Sequence, residues 1–487
     1  MLPLSPKPWS ELTFGCADLG DTRRTKRLVK VAAELSAHTG NSLSSSCEGY
    51  TALVTGAYRL IENEAVKPEA IAEAGFQATA KIARQSRLLL ALEDTTTLGY
   101  KHAVRSELGD LGGPEGSKTR GFHVHSVFLV DADTERSIGL IDQERWVRED
   151  VQRGKKNQRR QLPYEGKESF KWQRASENTE QRMGGKMPDI ISVCDREADI
   201  YEYMHYKLDN RQRFVVRATQ NRILVDGELL LFDSLAQTEV LGKYTIVVPQ
   251  KGGRKKRKAT LQVKRKKMTI QAPQRPGGRP EPVTMNIVSA EEIGNDSEDR
   301  LHWVLLTTED IETFEDCRSI IRFYELRWRI EEFHKAWKSG AGVERLRLQS
   351  PDNIERLAVI LMFVAVRLMQ IREALMLPND RQHKDRKMLP NDRQHKDRKL
   401  WSEKTLANEV VSDDEWQVLW LTYEKKALPD KPPTVTWLLQ TIARLGGWGD
   451  SKHTGQPGWL VVWEGWAKLQ DRVKTWQIAR QFSAGEM

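Results

Sequence analysis

The sequence predicts a mixed α/β protein whose central core is flanked by helical segments at both ends. In the middle of the chain, short apolar runs typical of buried strands alternate with helical patterns. Near the N-terminus, apolar residues instead recur at helical spacing. The chain has 487 residues, of which 39% are hydrophobic, and this is enough for two or three domains without disulfide bonds.

A helical domain is predicted for residues 1–70. Asp21 can cap a helix whose apolar positions share one face: Leu28, Val31, Ala32 and Leu35. The far side of this helix carries Arg23, Lys26, Arg27 and Lys30. That side is either an ordinary solvated face or a surface that lies along DNA phosphates, with Arg59 supplied by a second helix near residues 50–62.

Strands are predicted from about residue 88 onwards. The apolar run Leu88–Leu92 leads into the acidic Glu93 and Asp94, which indicates a buried strand with an acidic end. Further strands are expected at 123–130, 136–146, 190–194 and 213–216, and a helix at 196–208. Asp195 therefore lies at a junction between a strand and a helix.

A strand-rich stretch follows at about 218–308. It contains two dense basic clusters, at 251–258 and 264–267. Such clusters are either solvated, mobile hairpin tips or contacts to phosphates, and phosphate contacts carry no sequence specificity by themselves.

A tandem duplication marks the end of the core. Residues 376–387 recur without change at 388–399, after an apolar helix expected at 354–371. The repeated unit is polar and contains proline, so we interpret it as a duplicated linker at a domain boundary. Beyond it lie nine of the fifteen tryptophans, which favours packing in a small helical domain or a dimer interface.

Composition narrows the class of partner. A net charge of +9 and a pI near 9.2 favour a polyanion, either nucleic acid or an anionic membrane surface. No run approaches the roughly 18 apolar residues that span a bilayer, and no signal peptide is evident. The four cysteines are scattered without a CxxC pair, so neither a disulfide framework nor a zinc site is expected, and a reducing cytosol is the default compartment.

The segment 324–338 is predicted to be an amphipathic helix at about 100° per residue. One side is apolar and carries Leu326, Ile330, Phe333 and Trp337. The other side presents Tyr324, Arg327, Glu331, Lys335 and Lys338 along one line. A structural helix stabilised by i,i+4 ion pairs is one interpretation. The other interpretation is that Glu331, flanked by cations and a hydroxyl, binds a metal ion beside a phosphate backbone; Glu332 points elsewhere.

Two further carboxylates could join Glu331. Asp94 at a strand end and Asp195 at a strand–helix junction would give an Asp, Asp, Glu set of hard oxygen ligands, which suits Mg²⁺ or Mn²⁺ and not zinc. Each has a plainer explanation, because Asp195 could be a helix N-cap and Asp94 a turn aspartate.

The spacing Tyr324-x2-Arg327-x3-Glu331-x6-Lys338 resembles the Y-x2-R-x3-E-x6-K signature of the DDE transposases of the insertion sequence four family. Other motifs that resemble this family occur in the same order: LGDTRRTKRLVKVAAEL at 19–35, GAYRLI at 56–61, ALEDTTTLGY at 91–100, VCDREADI at 193–200, RFVVR at 213–217, ARLGGWGDSK at 443–452 and WEGW at 463–466. The duplicated linker has no counterpart in the family pattern.

The resemblance implies a fold and a chemistry. It implies an RNase H-like catalytic core at 71–375 with a β-strand insertion at about 218–308, between a DNA-binding domain at 1–70 and a dimerisation domain at 400–487, with the linker at 376–399. Two Mg²⁺ or Mn²⁺ ions per site would support cleavage at transposon ends, hairpin formation and reopening, and attack of the 3′-hydroxyl on target DNA. The expected partners are double-stranded DNA and a second copy of the chain, in a bacterial cytoplasm at the nucleoid.

The resemblance also implies residue roles. Asp94, Asp195 and Glu331 would bind metal and be catalytic. The phosphates near the scissile bond would be contacted by Tyr324, Arg327 and Lys338, with Lys335 and His334 helping. Trp303 would stack a flipped base, although core packing explains it equally well. The transposon end would be gripped by Arg27, Arg59 and Arg217.

Two other functions remain open from the sequence. One is a nuclease with a similar core that does not transfer strands. The other is a non-catalytic protein that binds or inhibits at transposon ends, which would explain the charge but not the three carboxylates.

Overall fold

The computed structural model describes residues 5–47, 51–112, 119–148, 162–248, 257–275, 279–295, 297, 299–375, 404–449, 457 and 459–483. Its N-terminal part is helical, with α1 at Pro6–Phe14, α2 at Thr22–Ala37, α3 at Leu43–Ser46, α4 at Thr51–Ile61 and α5 at Pro68–Ala83. The Asp21 side chain accepts a hydrogen bond from the Arg23 backbone N–H at 2.8 Å, which confirms the predicted cap of α2. The four predicted apolar positions of α2 are buried.

A ten-stranded mixed sheet forms the centre of the protein. Its strands are β1 at Leu89–Tyr100, β2 at Gly109–Asp110, β3 at Arg120–Asp131, β4 at Ser137–Trp146, β5 at Ile190–Cys194, β6 at Arg213–Arg217, β7 at Gly242–Val248, β8 at Arg257–Ile270, β9 at Val283–Glu292 and β10 at His302–Thr307. The spatial order is β2-β3-β1-β5-β6-β10-β9-β8-β7, and β4 pairs with β3. Antiparallel β4, β3 and β1 followed by parallel β5 and β6 are compatible with an RNase H-like core, so the predicted fold class is confirmed.

The strand-rich stretch extends the core sheet. β10 pairs with β6, and β9, β8 and β7 continue outwards from it in antiparallel order. The basic cluster 264–267 lies inside β8, so it is not a hairpin tip. Lys264 Nζ donates to the carbonyl oxygens of Leu235 and Ala236, at 3.1 and 2.8 Å. Most of the other cluster, residues 251–256, lies outside the described residues.

Helices cover the sheet. These are α6 at Lys171–Met183, α7 at Tyr201–Asp209, α8 at Leu231–Ala236, α9 at Phe314–Leu326, α10 at Trp328–Lys335 and α11 at Pro351–Leu375. The helix expected at 196–208 is instead a 3₁₀ turn, Arg196–Ala198, followed by α7. One hydrophobic core joins the N-terminal helices, α11 and one face of the sheet.

The C-terminal part forms its own helical core. It comprises α12 at Asp413–Tyr423, α13 at Val435–Leu445 and α14 at Trp459–Ser483. Trp416 and Trp466 are buried in it, in agreement with the predicted packing role of the tryptophans. The duplicated linker at 376–399 lies outside the described residues. In the described part of the chain, no helix has the length and apolar character needed to cross a membrane.

Gly121 on β3 tests how tightly β1 is held. A Cβ there would lie 1.7 Å from the Leu98 carbonyl oxygen on β1. We expect Gly121→Ala to lower the free energy of unfolding by about 1–3 kcal/mol, because the two strands must separate to accommodate the methyl group. Urea unfolding measures this. The control is Gly185→Ala, where a Cβ meets no atom within 4 Å, and equal midpoints for the two variants would contradict the expectation.

Candidate active site

Two aspartates lie side by side because β1 and β5 pair in parallel. Glu93 pairs with Cys194, so the next residues, Asp94 and Asp195, are neighbours at the edge where β5 ends. Asp94 was predicted at a strand end, and this was wrong. β1 continues to Tyr100 because β3 pairs with it along its whole length, with Asp94 opposite Ser126.

The third carboxylate comes from α10, which packs on β1. A single helix was predicted for 324–338, but α9 ends at Leu326, α10 begins at Trp328, and a π-helical turn follows at Ala336–Gly340. The break is a tight turn in which the Arg327 N–H bonds to the Tyr324 carbonyl three residues earlier, at 3.1 Å. The predicted apolar side is confirmed, because Leu326, Ile330, Phe333 and Trp337 are all buried.

Arg327 links two of the carboxylates. Its Nη2 donates to Glu331 Oε1 at 2.7 Å, and its Nη1 lies 3.9 Å from Asp94 Oδ2. The first contact is the i,i+4 pair of the purely structural interpretation. The second contact reaches Asp94 on β1, so Arg327 is not paired only within its own helical segment.

Asp94 has an unusual electrostatic environment. Burial raises the pKa of Asp94 from 3.8 to about 7, the Arg327 guanidinium opposes this, and the negative charges of Asp195 and Glu331 add to it. Asp195 and Glu331 are thus both close enough to Asp94 for their charges to repel its ionised form.

Asp195 acts as a cap with one oxygen only. Its Oδ1 accepts a hydrogen bond from the Glu197 backbone N–H at 2.8 Å, so the capping interpretation holds for that atom. Among the residues that the structure describes, none donates a hydrogen bond to Oδ2. One carboxylate oxygen of Asp195 is therefore available to a ligand.

The donor set fits a hard divalent cation. Carboxylate oxygens are the ligands that Mg²⁺ and Mn²⁺ prefer, and a cation would offset both the burial and the neighbouring negative charges that raise the pKa of Asp94. Across the described ranges, no three Asp, Glu, His or Cys side chains form a group that could already hold a metal ion. In this structure the positive charge between Asp94 and Glu331 is that of Arg327.

His334 lies beneath the carboxylates. It is buried, with Nδ1 at 3.8 Å from Asp94 Oδ2 and Nε2 at 3.4 Å from Ser126 Oγ. Gln143 Nε2 donates to the same Ser126 oxygen at 3.1 Å. Burial lowers the pKa of His334 to about 3, so the ring is neutral. His334 therefore lies behind Asp94 and does not face outwards with the predicted phosphate-contacting residues. Sequence reasoning missed Ser126 and Gln143, because only the pairing of β1, β3 and β4 brings them to this place.

The other residues predicted to contact phosphates differ in exposure. Lys335 is exposed and Lys338 is half-buried, and burial lowers the pKa of Lys338 while Glu344 and Asp94 oppose this. Tyr324 is buried, and its ring centroid lies 6.1 Å from that of the half-buried Trp303 on β10. The packing interpretation of Trp303 thus has a partner, and its role in base stacking stays a prediction.

The predicted end-binding arginines occupy two regions. The Arg27 guanidinium on α2 lies against Gly56 of α4, where a Cβ would be only 2.2 Å from Nη1. Arg59 is exposed one turn further along α4, on the same side as Gly56. Arg217 lies elsewhere, at the end of β6, where its Nη2 donates to the His302 carbonyl oxygen at 3.0 Å.

The N-terminal helices match a known family. Residues 6–66 match the family described as Transposase DNA-binding, and the match spans α1 to α4, including Arg27 and Arg59. The match supports DNA as the partner of this part of the chain. It also supports a transposase role for the chain, and hence a DNA-processing enzyme.

The burial of Asp94, together with the negative charges of Asp195 and Glu331, predicts that its ionised carboxylate destabilises the folded protein. The folded-state pKa of about 7 lies above the ordinary 3.8, so the folded state binds more protons and stability falls as pH rises between these values. We expect Asp94→Asn to raise the free energy of unfolding of metal-free protein at pH 8 by about 1–3 kcal/mol.

Chemical denaturation at pH 4 and pH 8 measures this effect. The difference in the free energy of unfolding between Asp94→Asn and wild type should shrink at pH 4, where Asp94 is protonated. Glu107→Gln, which changes an exposed carboxylate, is the control and should stay within about 0.5 kcal/mol. A loss of stability in Asp94→Asn at pH 8 would contradict the expected cost of the buried, ionised carboxylate.

Proposed function

We propose that the protein is a cut-and-paste DNA transposase of the insertion sequence four family, with motifs most like those of the transposon Five transposase. What supports this proposal is that the charges of Asp195 and Glu331 both act on Asp94 and that Arg327 lies beside Asp94 and Glu331, in a chain whose N-terminal helices match a transposase DNA-binding family. A cluster of repelling carboxylates is unfavourable for stability, which supports a functional reason for it.

Asp94, Asp195 and Glu331 would hold two Mg²⁺ or Mn²⁺ ions. When bound, such ions lower the pKa of the attacking hydroxyl and stabilise the leaving oxygen. Arg327 keeps Asp94 and Glu331 together before binding, and the neutral His334 fixes the orientation of Asp94 from behind. The same site serves hydrolysis at the transposon end, closure and reopening of a hairpin, and joining to target DNA.

The remaining side chains orient the DNA. Tyr324, Arg327 and Lys338 contact phosphates beside the scissile bond, and Lys335 helps to hold them. Trp303, packed against Tyr324, is placed to stack a base that leaves the duplex when the hairpin closes. Arg27, Arg59 and Arg217 bind the transposon end, and the C-terminal helices bring two copies of the chain together in the DNA complex.

Cleavage of the element's own flanking ends tests the proposal. With Mg²⁺, we expect wild type to give both cut donor and a joined donor–target product. Asp94→Ala and Glu331→Ala should each reduce cleavage by more than about 100-fold, because even outer-shell partners of a metal cost about 10–100-fold. Cuts without joined product would indicate a nuclease. Binding without turnover at any Mg²⁺ concentration would indicate a non-catalytic end-binding protein.

The N-terminal arginines make a separate prediction about binding. We expect Arg27→Met and Arg59→Met each to weaken end binding and to flatten the dependence of log K on log salt by about 0.9 per lost phosphate contact. Arg87→Met is the control, because Arg87 lies outside the matched residues 6–66 and is paired with Asp133 at 2.5 Å. Equal salt slopes for wild type and the Arg27 and Arg59 variants, measured by fluorescence anisotropy, would rule out these contacts.

A further inference from the structure

A second polar cluster lies on the opposite face of the sheet, directly behind the carboxylates. Side chains alternate between the two faces of a strand, so Glu93 and Cys194 point away from their neighbours Asp94 and Asp195. Both are buried, at 1% and 0% exposure, and they pair with each other in the β1–β5 register. The residues that precede the two aspartates therefore share one closed environment.

Lys207 on α7 lies in this environment. It is fully buried, and its Nζ donates to Ser192 Oγ on β5 at 2.9 Å. Its Nζ also lies 5.5 Å from the centre of the Tyr203 ring. Burial lowers the pKa of Lys207, and the negative charge of Glu93 is the largest influence that opposes this. A buried ammonium group is costly unless an anion compensates it. Lys207 forms no direct ion pair with any described residue, so Glu93 compensates its charge across the buried cluster and not by contact.

Glu93 in turn has few other partners. His125 on β3 bonds Thr95 Oγ1 through Nδ1 at 3.0 Å, and its Nε2 faces Glu93 Oε2 at 3.6 Å. Within the described part of the chain, neither Glu93 Oε2 nor His125 Nε2 has a hydrogen-bond partner. Removing Lys207 would therefore leave the Glu93 charge poorly compensated, one residue away from Asp94.

We propose that Lys207 is a positioning residue for divalent-cation binding: by balancing Glu93 and holding Ser192, it fixes β1 against β5 so that Asp94 and Asp195 stay adjacent. This inference rests on the proposed function, because it assumes that the two aspartates bind a cation. Lys207 itself touches neither DNA nor metal. It acts through β1 and β5, and both its charge and its volume contribute to cation binding.

Binding of Mn²⁺ to the full-length protein tests this role without any measurement of activity. Free Mn²⁺ is followed by electron paramagnetic resonance, and thermal unfolding of each variant is recorded in parallel. We expect Lys207→Met to weaken Mn²⁺ binding about 10-fold, the lower end of the range for outer-shell partners. The double variant Glu93→Gln/Lys207→Met removes both charges and should bind within about 3-fold of wild type.

The matched control is Lys264→Met, which removes a lysine that bonds carbonyl groups of α8, away from the carboxylates. It should leave Mn²⁺ binding unchanged. If Lys207→Met does not fold, Ser192→Ala replaces it, since that change removes only the hydrogen-bond partner of Lys207. We expect about 3-fold weaker Mn²⁺ binding for Ser192→Ala, the effect of one lost hydrogen bond.

The outcomes separate the two proposals. If Asp94→Ala binds Mn²⁺ as well as wild type, the proposed metal site is wrong. If Asp94→Ala abolishes binding but Lys207→Met (or, if that variant does not fold, Ser192→Ala) binds like wild type, only the role of Lys207 is overturned. A lower melting temperature in Lys207→Met with no recovery of binding in the double variant would reduce Lys207 to a packing residue and also overturn the proposal.

Discussion

The parallel pairing of β1 with β5 is the constraint on which the site depends. It aligns Glu93 with Cys194 and so places Asp94 beside Asp195 at one edge of the sheet. Two adjacent carboxylates, one of them largely buried, repel each other in an interior that screens charge poorly. The surrounding structure has to hold the strands together against this repulsion. The long antiparallel pairing of β1 with β3 and the packing of α10 on β1 do so.

Compensating charges follow from this constraint on both faces of the sheet. On the carboxylate face, Arg327 contacts Glu331 and approaches Asp94, while the neutral His334 supports Asp94 without adding charge. On the far face, the buried Lys207 donates to Ser192 on β5, and the negative charge of Glu93 opposes the lowering of its pKa by burial. An arrangement of this kind is less stable than an apolar alternative, and it is the pattern expected where function opposes stability. The N-terminal match to a transposase DNA-binding family supports DNA as the partner for such a function.

Much of the fold could be predicted from local sequence patterns. The apolar run 190–194 and the cap at Asp21 gave the correct elements because each signal is contained in a few neighbouring residues. Asp94 was misplaced at a strand end because β1 is extended by pairing with β3, which is a long-range effect. The break at Arg327 was missed because periodicity does not reveal a single tight turn. His334 and Lys207 show the same limit, since their surroundings are set by strands and helices distant in sequence.

Anomalous diffraction from crystals soaked in Mn²⁺ tests the central claim most directly. Data collected at the manganese absorption edge locate the ion independently of any activity. We expect anomalous density between the carboxylates of Asp94, Asp195 and Glu331, with the Arg327 guanidinium displaced from between Asp94 and Glu331. Density confined to other surfaces, or a site that leaves the Arg327 contacts intact at saturating Mn²⁺, would contradict the claim that these three side chains form a cation site.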